Sequence, residues 1–314
     1  MKIVQKLVFL ALLFSFNVTL QARELRIGTT LWPGYEPLYL AEHIDAYQQN
    51  ARIINYPSTS EVLRAFKNKA LEAAALTLDE VAALVEQEIP ISVILVCDIS
   101  DGADVIMAHP SIGNMQDLKG KRVAVESTAV GAYVLSRALE VHNIGFTDIT
   151  LVNAENSDHF TTYKNNEADA VVTYEPVRTR LLRAGANEIF NTKEIPGEVV
   201  DVLVVHNDYL ESHKKSILDM TSAWFKALDF IQDNPKAAYS YIASRHKITS
   251  QEVEASFDGL KLPNLKENKQ LLSGKYPPLQ TTLDKLAILM KEGGILISNI
   301  DTNGVITPEF LPGK

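Results

Sequence analysis

Short apolar runs alternate along this chain with segments whose apolar residues recur every three or four positions. The first unit spans Leu25 to Tyr47: LRIGTT is a strand-length run, LWPGYEP a turn punctuated by proline and glycine, and LYLAEHIDAY an amphipathic helix. Arg52 to Tyr56 reads as a strand, and Ser60 to Lys69 as a helix with Ser60 in the N-cap position. Glu72 to Leu76 is a strand of small residues, followed by a helix from Leu78 to Glu88 whose Asp79 and Glu80 suit its positive end. Ile91 to Val96 and Asp104 to Ala108 are further buried strands. The cycle restarts at Arg122 to Glu126, with a helix over Ala129 to His142 and strands at Thr150 to Asn153 and Ala170 to Thr173. Short helices are predicted around His159 to Asn166 and Val177 to Ala184. Such alternation predicts parallel sheets covered on both faces by helices.

The pattern changes after a last strand at Asp201 to Val205. The remainder of the chain is helical: Leu210 to Ile231, Pro235 to Arg245, Ser250 to Phe257 and Thr281 to Glu292, with Lys261 to Pro278 the least regular stretch. One restart of the α/β cycle and a helical return predict a discontinuous first lobe, residues 23–108 and 205–314. An inserted second lobe is expected over 110–202. The crossing segments are expected near Val105 to Pro110 and Asp201 to Asn207.

The N-terminus adds a compartment. Lys2 and Lys6 precede an apolar stretch, Leu7 to Phe16, too short to span a bilayer and suited to a cleaved export signal over residues 1–22. No cysteine lies near the cleavage point, so a free rather than lipid-anchored chain is expected outside the cytoplasm. Removing Lys2 and Lys6 leaves 28 of the 30 basic residues against 39 acidic ones, a formal charge of −11. That balance, without a basic block, argues against nucleic acid or an anionic membrane as partner. Cys97 is the single cysteine and sits in the apolar run ISVILVC, so it reads as a buried inert thiol and no intramolecular disulfide is available.

In open α/β sheets, ligands bind beyond the carboxyl ends of strands. Six turns of this chain have that position. Trp32 and Tyr35 follow the first strand and offer rigid aromatic contacts. Thr77 and Asp79 follow the third, and Asp98 ends the ISVILV run. Ser127, Thr128 and Gly131 surround the start of the helix after RVAVE, where free backbone N–H groups could hold a carboxylate or sulfonate. Asn156 to Asp158 form the fifth turn; Tyr174 and Glu175 follow ADAVVT. Among these turns acids outnumber bases: Asp79, Asp98, Glu175 and, further along, Asp201 have no lysine or arginine beside them. Acids with aromatics suit a nitrogen-bearing head group, through charge-assisted hydrogen bonds or cation–π contact.

Catalytic and metal signals are weak. The seven histidines are scattered with no HExxH spacing. Ser212 to Lys215 fits Ser-x-x-Lys without its companion motifs. Asn299 to Gly304 resembles half a calcium loop, but Phe310 stands at its twelfth position. No metal, cofactor or catalytic residue is expected.

Four segments in order, TTLWPGYEPLYLAE, ALTLDEVAAL, DLKGKRVAVESTAVGAYVL and NEADAVVTYEP, resemble the periplasmic solute-binding proteins of nitrate/sulfonate/taurine-type ABC importers. The resemblance runs from about Leu25 to about Met290. It implies a type II periplasmic binding fold: two doubly wound α/β lobes, two crossing segments and a ligand cleft between. In that family DLKGKRVAV opens the second domain, and the next helix presents its N-terminus to the ligand. A monomer that carries a small molecule to an inner-membrane permease is therefore expected. The acids of the cleft turns depart from the anion-binding members and favour an amine-containing or zwitterionic organic solute. Two alternatives stay open: a ligand sensor serving a membrane receptor, and an enzyme resembling pyrimidine synthases on the same fold. The latter would need a cysteine or histidine in the cleft.

Overall fold

The structure, a computed structural model, describes residues 24–46, 51–127 and 130–313. The expected export segment, residues 1–22, and Thr128 lie outside the described residues. In chain order the strands are β1 (Leu25–Thr29), β2 (Ala51–Asn55), β3 (Ala73–Thr77), β4 (Ile91–Ser100), β5 (Val105–Ala108) and β6 (Arg122–Val125). They continue with β7 (Thr150–Asn153), β8 (Ala170–Thr173), β9 (Asn187–Asn191), β10 (Val200–His206) and β11 (Leu260–Lys261). Two sheets result, ordered β11-β4-β10-β3-β1-β2 and β7-β6-β8-β5-β9.

Neither sheet is wholly parallel. β1 pairs parallel with β2 and β3, and β6 with β7 and β8. β10, however, runs antiparallel to β3 and β4, and β5 antiparallel to β8 and β9. The reason is topological. A strand entered from the other lobe must start at the edge facing that lobe, whereas the strands of βα units end there. The chain accordingly passes between the sheets at residues 101–104 and 192–199, earlier in both cases than the expected crossings. β5 belongs to the second sheet and β10 to the first.

Central strands are buried throughout. On β3, Ala73, Ala74 and Ala75 stand opposite Val205, Val204 and Leu203 of β10, so small side chains face larger ones, all of them buried. Trp224, on the long helix Lys214–Asp233, is fully buried against this layer. Asn268 completes the outer edge of β4: its Oδ1 accepts from Val96 N at 2.8 Å and its Nδ2 donates to Val96 O at 3.1 Å. A side-chain amide there supplies what a further strand would have supplied. Cys97 is fully buried, and burial pushes its thiol well up. Elements that the pattern does not predict include edge strands β9 and β11 and, in the irregular stretch, helix Leu265–Leu272. No described helix is long and apolar enough to cross a membrane.

Candidate ligand-binding cleft

The mixed topology decides which side chains meet. The carboxyl ends of β1 and β3 bring Thr30 and Thr77 to the inter-lobe edge, and the 3-10 turn Pro33–Tyr35 after β1 adds Trp32 and Tyr35. Because β10 is antiparallel, Asp201 near its amino end reaches the same edge, directly opposite Asp98 of β4 and Thr77 of β3. The second lobe repeats the device: Asp104 precedes antiparallel β5, beside Glu126 after β6 and Tyr174 after β8.

Two small cavities share Asp104, Val130 and Tyr174: the first, about 20 Å³, lies between the lobes, and the second, about 10 Å³, is lined by the second lobe alone. The first is about one water in size. Thr30, Trp32, Tyr35, Thr59, Thr77, Glu80 and Asp201 complete it; Glu126, Gly131, His159 and Thr173 border the second. Among the described residues no lysine or arginine lines either one. A roomier groove of about 470 Å³ lies by helix Pro278–Glu292. Its acid, Glu198, is already neutralised by Arg137 at 2.7 Å and Lys285 at 3.8 Å, so that groove offers an ionic solute little.

The aromatics are braced by carboxylates. Trp32 Nε1 donates to Asp98 Oδ2 at 3.1 Å, and the Tyr35 hydroxyl donates to Asp201. Trp32 meets Tyr174 of the other lobe edge to face, with centroids 5.3 Å apart. Gly34 is required by this packing: a Cβ there would lie 1.8 Å from Asp98 Oδ2 and 2.5 Å from Trp32 Nε1.

Each lobe also lends a carboxylate to the other. Glu126 Oε1 accepts from Ser60 N at 2.8 Å and Ser60 Oγ at 2.7 Å, in the first turn of helix Thr59–Lys67. Glu80, from the first turn of helix Leu78–Glu86, accepts from Val130 N at 3.3 Å, the first residue of helix Val130–Val141. One N–H at each of these helix starts is thus occupied by a carboxyl group of the opposite lobe.

These acids are costly to ionise. Burial pushes Asp98 up to about 7, against the Trp32 hydrogen bond and with Asp104 adding repulsion. Burial likewise pushes Asp104 and Asp79 up to about 6, raises Glu126, and raises Glu80 and Asp201 well above the usual carboxylate range. Asp98 and Asp201 face each other across the β4–β10 pair, so one proton between them relieves both.

The sequence-derived site residues fall into three groups. Trp32, Tyr35, Thr77, Tyr174 and Gly131 border the cavities. Asp98 stands behind Trp32, and Asp79 is buried one residue before Glu80, which takes the cavity position in its place. Ser127 and Glu175 lie away from the cavities. Ser127 is exposed and bonded to Asn153, because Glu126 rather than the serine faces the cleft. Glu175 is spent within its own lobe: its oxygens accept from Thr179 N at 3.1 Å and Thr179 Oγ1 at 3.0 Å, with Arg178 at 3.5 Å. Those partners lie in its own lobe and are not Asp79 or Asp98 of the expected acid cluster. Glu80, Asp104 and Glu126 were absent from the expectation, although acids flanking buried strands (DGADVIM, RVAVES) were a readable signal.

One histidine does reach the cleft. His159 Nε2 donates to Ala154 O at 3.1 Å and burial lowers the ring to about 4, so it is neutral with Nδ1 as an acceptor. Among the described residues no group of three His, Cys, Asp or Glu side chains is placed to hold a metal ion.

Comparison with known proteins agrees with this architecture. The profile of the NMT1-like family matches residues 19–245. The taurine-binding periplasmic protein of Escherichia coli K12 is 21% identical over 208 residues, 64% of this chain; the match spans 64% of that protein's length. The alkanesulfonate-binding protein SsuA of Xanthomonas axonopodis pv. citri superposes with a TM-score of 0.74 at 14% identity, covering 88% of this chain and 95% of that one. The nitrate-binding protein NrtA of Synechocystis PCC 6803 gives 0.72 at 12% identity, covering 93% and 87%. At the level of fold, the resemblance to nitrate/sulfonate/taurine-type binding proteins therefore holds. With the profile covering most of its length and two lobes meeting over a buried cleft, the chain belongs to the NMT1-like family and has the type II periplasmic binding fold.

Proposed function

We propose that this protein is the periplasmic solute-binding component of an ABC importer, closing its two lobes on a small nitrogen-bearing organic solute and delivering it to a permease. The family and its taurine-, alkanesulfonate- and nitrate-binding relatives support the role. The ligand class rests on one observation: buried carboxylates from both lobes surround cavities that no lysine or arginine lines. A nitrate or sulfonate would enter next to Glu80, Asp104 and Asp201 with no cationic partner, at a cost that a bound anion cannot recover. A cation meets the opposite situation, and because both lobes supply acids it favours the closed state. The lobes so used are the two sheets with their helices, hinged at residues 101–104 and 192–199. An enzyme reading gains little from His159, which burial keeps neutral and which has no nucleophile beside it among the described hydrogen bonds.

A thermal-shift screen of the purified protein against nitrogenous metabolites, sulfonates and pyrimidines tests this reading, since saturating ligand raises apparent stability. Stabilisation by nitrogen-bearing compounds is expected. Stabilisation by sulfonates or nitrate alone would sink the ligand class.

A further inference from the structure

Three regions outside the braced aromatics were candidates for more: the groove by helix Pro278–Glu292, the exposed apolar side chains Ile288 and Ile297, and the unpaired acceptors of the cleft. The groove's acid is already paired, and nothing shows what would cover the apolar side chains. The cleft acceptors carry further.

We propose that the solute's head group is a compact cation that donates hydrogen bonds and has no anionic group beside it, a primary ammonium or an amidinium, seated on Asp104. The inference rests on the nitrogen-bearing reading above and narrows it.

The first argument is donor demand. Asp104 is 5% exposed, borders both cavities, and its Oδ2 has no hydrogen-bond partner. His159 Nδ1, beside the second cavity, is also buried and unpaired, and it is an acceptor. A buried acceptor left unpaired is costly, so the site calls for N–H groups. A quaternary ammonium has none. It would also need free aromatic faces, whereas Trp32 is packed edge to face with Tyr174 and Tyr35 is tethered to Asp201.

The second argument is the fate of an attached anion. In a zwitterion, a carboxylate or sulfonate would need donors near the ammonium. At the two helix starts that face the cleft, Ser60 N is taken by Glu126 and Val130 N by Glu80, so an anion seated on those groups meets an acid already there. An added anion would have to expel one of those glutamates, breaking an inter-lobe contact that closure makes. The third argument is size, because the cavity bounded by Asp104, Glu80 and Asp201 is about 20 Å³. A head group bulkier than an ammonium or a flat amidinium would hold the lobes further apart.

Binding should also exchange charge. At neutral pH Asp98, pushed up to about 7, still holds part of its proton in the ligand-free protein, and a cation seated nearby favours its release. The proton goes to the buffer.

Calorimetry on the mature chain, with 1,4-diaminobutane, agmatine, choline, taurine and methanesulfonate as probes, tests the proposal. At least one of the first two should bind at least ~10-fold more tightly than the other three. Heats should differ between phosphate and Tris buffers by the amount that released protons contribute. Asp104→Asn and, separately, Asp201→Asn should each weaken that binding by ~10-fold or more while circular dichroism stays unchanged. Choline or taurine binding as tightly as the amines would overturn the donor-cation head group but leave the nitrogen-bearing reading standing. Methanesulfonate binding with all amines inert would overturn both. No response to either donor cation, undiminished binding in both variants, or binding without proton release would overturn the seat on the carboxylates.

Discussion

The two ends of the same sheets treat acidic residues in opposite ways. At the end away from the cleft, Glu72, just before β3, is bound by Arg26 of β1 at 2.6 Å, and Asp169, just before β8, by Arg122 of β6 at 2.9 Å. The lobes repeat one arrangement there: an arginine on one strand of a parallel pair and an acid leading into its neighbour. Both acids are lowered; for Glu72 burial opposes the arginine's hydrogen bond and loses, and for Asp169 the Arg122 hydrogen bond leads. At the cleft end, Asp98, Asp104, Glu80 and Asp201 have no arginine or lysine among their hydrogen-bond or ion-pair partners, and burial raises them all. The outer pairs are complete within the fold. The cleft acids are not, and what they lack is a cation.

The strongest way to break this contrast is to disturb the cleft's packing. In Gly34→Ala the new methyl must displace Asp98 or Trp32. A loss of roughly 1–3 kcal/mol in urea unfolding, together with loss of ligand binding, is expected. An unchanged variant would mean that the indole–carboxylate contact does not hold the turn in place.

A smaller effect is expected from the inter-lobe caps. Glu126→Ala removes the carboxylate that Ser60 N and Oγ donate to, while leaving Asp104, Glu80 and Asp201 in place. Losing a cap of this kind costs about 1 kcal/mol, which shifts the closed-to-open ratio about fivefold towards open. X-ray scattering should report a larger radius of gyration, and equal radii would contradict a role in closure. The smallest effect belongs to the outer end. Arg26→Ala should lower the melting temperature slightly at neutral pH and leave ligand affinity unchanged, as calorimetry would show. The lowered Glu72 makes that stabilisation present above the ordinary carboxylate pKa and lost as pH falls through its folded value, so the deficit should fade in acid.

Much of this fold was legible because its strands are apolar runs separated by amphipathic helices; the hidden part was direction. An apolar run such as VDVLVV reads the same either way, so periodicity could not show that β5 and β10 run antiparallel. That reversal puts Asp104 and Asp201 at the cleft, where a rule built on carboxyl ends of strands does not look. Trp32 and Tyr35 come to the inter-lobe edge because their turn follows a βα strand that obeys the rule. Glu175 was misplaced for a local reason: an acid at a strand's end can face the cleft or cap the next helix, and Thr179 four residues on decides for the cap. Helix Leu265–Leu272 had a readable start, since Asn264 and Glu267 form a capping box, but the prolines and glycine around it masked the signal.

The most direct test of the central claim, that the cleft holds uncompensated carboxylates awaiting a cation, is the stability of the ligand-free protein between about pH 6.5 and 8. A carboxyl whose folded pKa is raised stabilises the fold at low pH and loses that contribution as pH rises through the folded value. Asp98 at about 7 places the end of its loss in this window, and Glu80 and Asp201, both raised well above the usual carboxylate range by burial, act in the same direction. Other titrations leave it clear. The lowered Glu72 and Asp169 are fully ionised by then, and buried His159 and His206, both lowered, change stability only below about 6.5. Urea unfolding should therefore show stability falling with pH by about 1.4 kcal/mol per pH unit for each proton retained, and the slope should flatten in the double variant Asp98→Asn/Asp201→Asn. Stability that is flat or rising across the window, and identical in the double variant, would contradict the account.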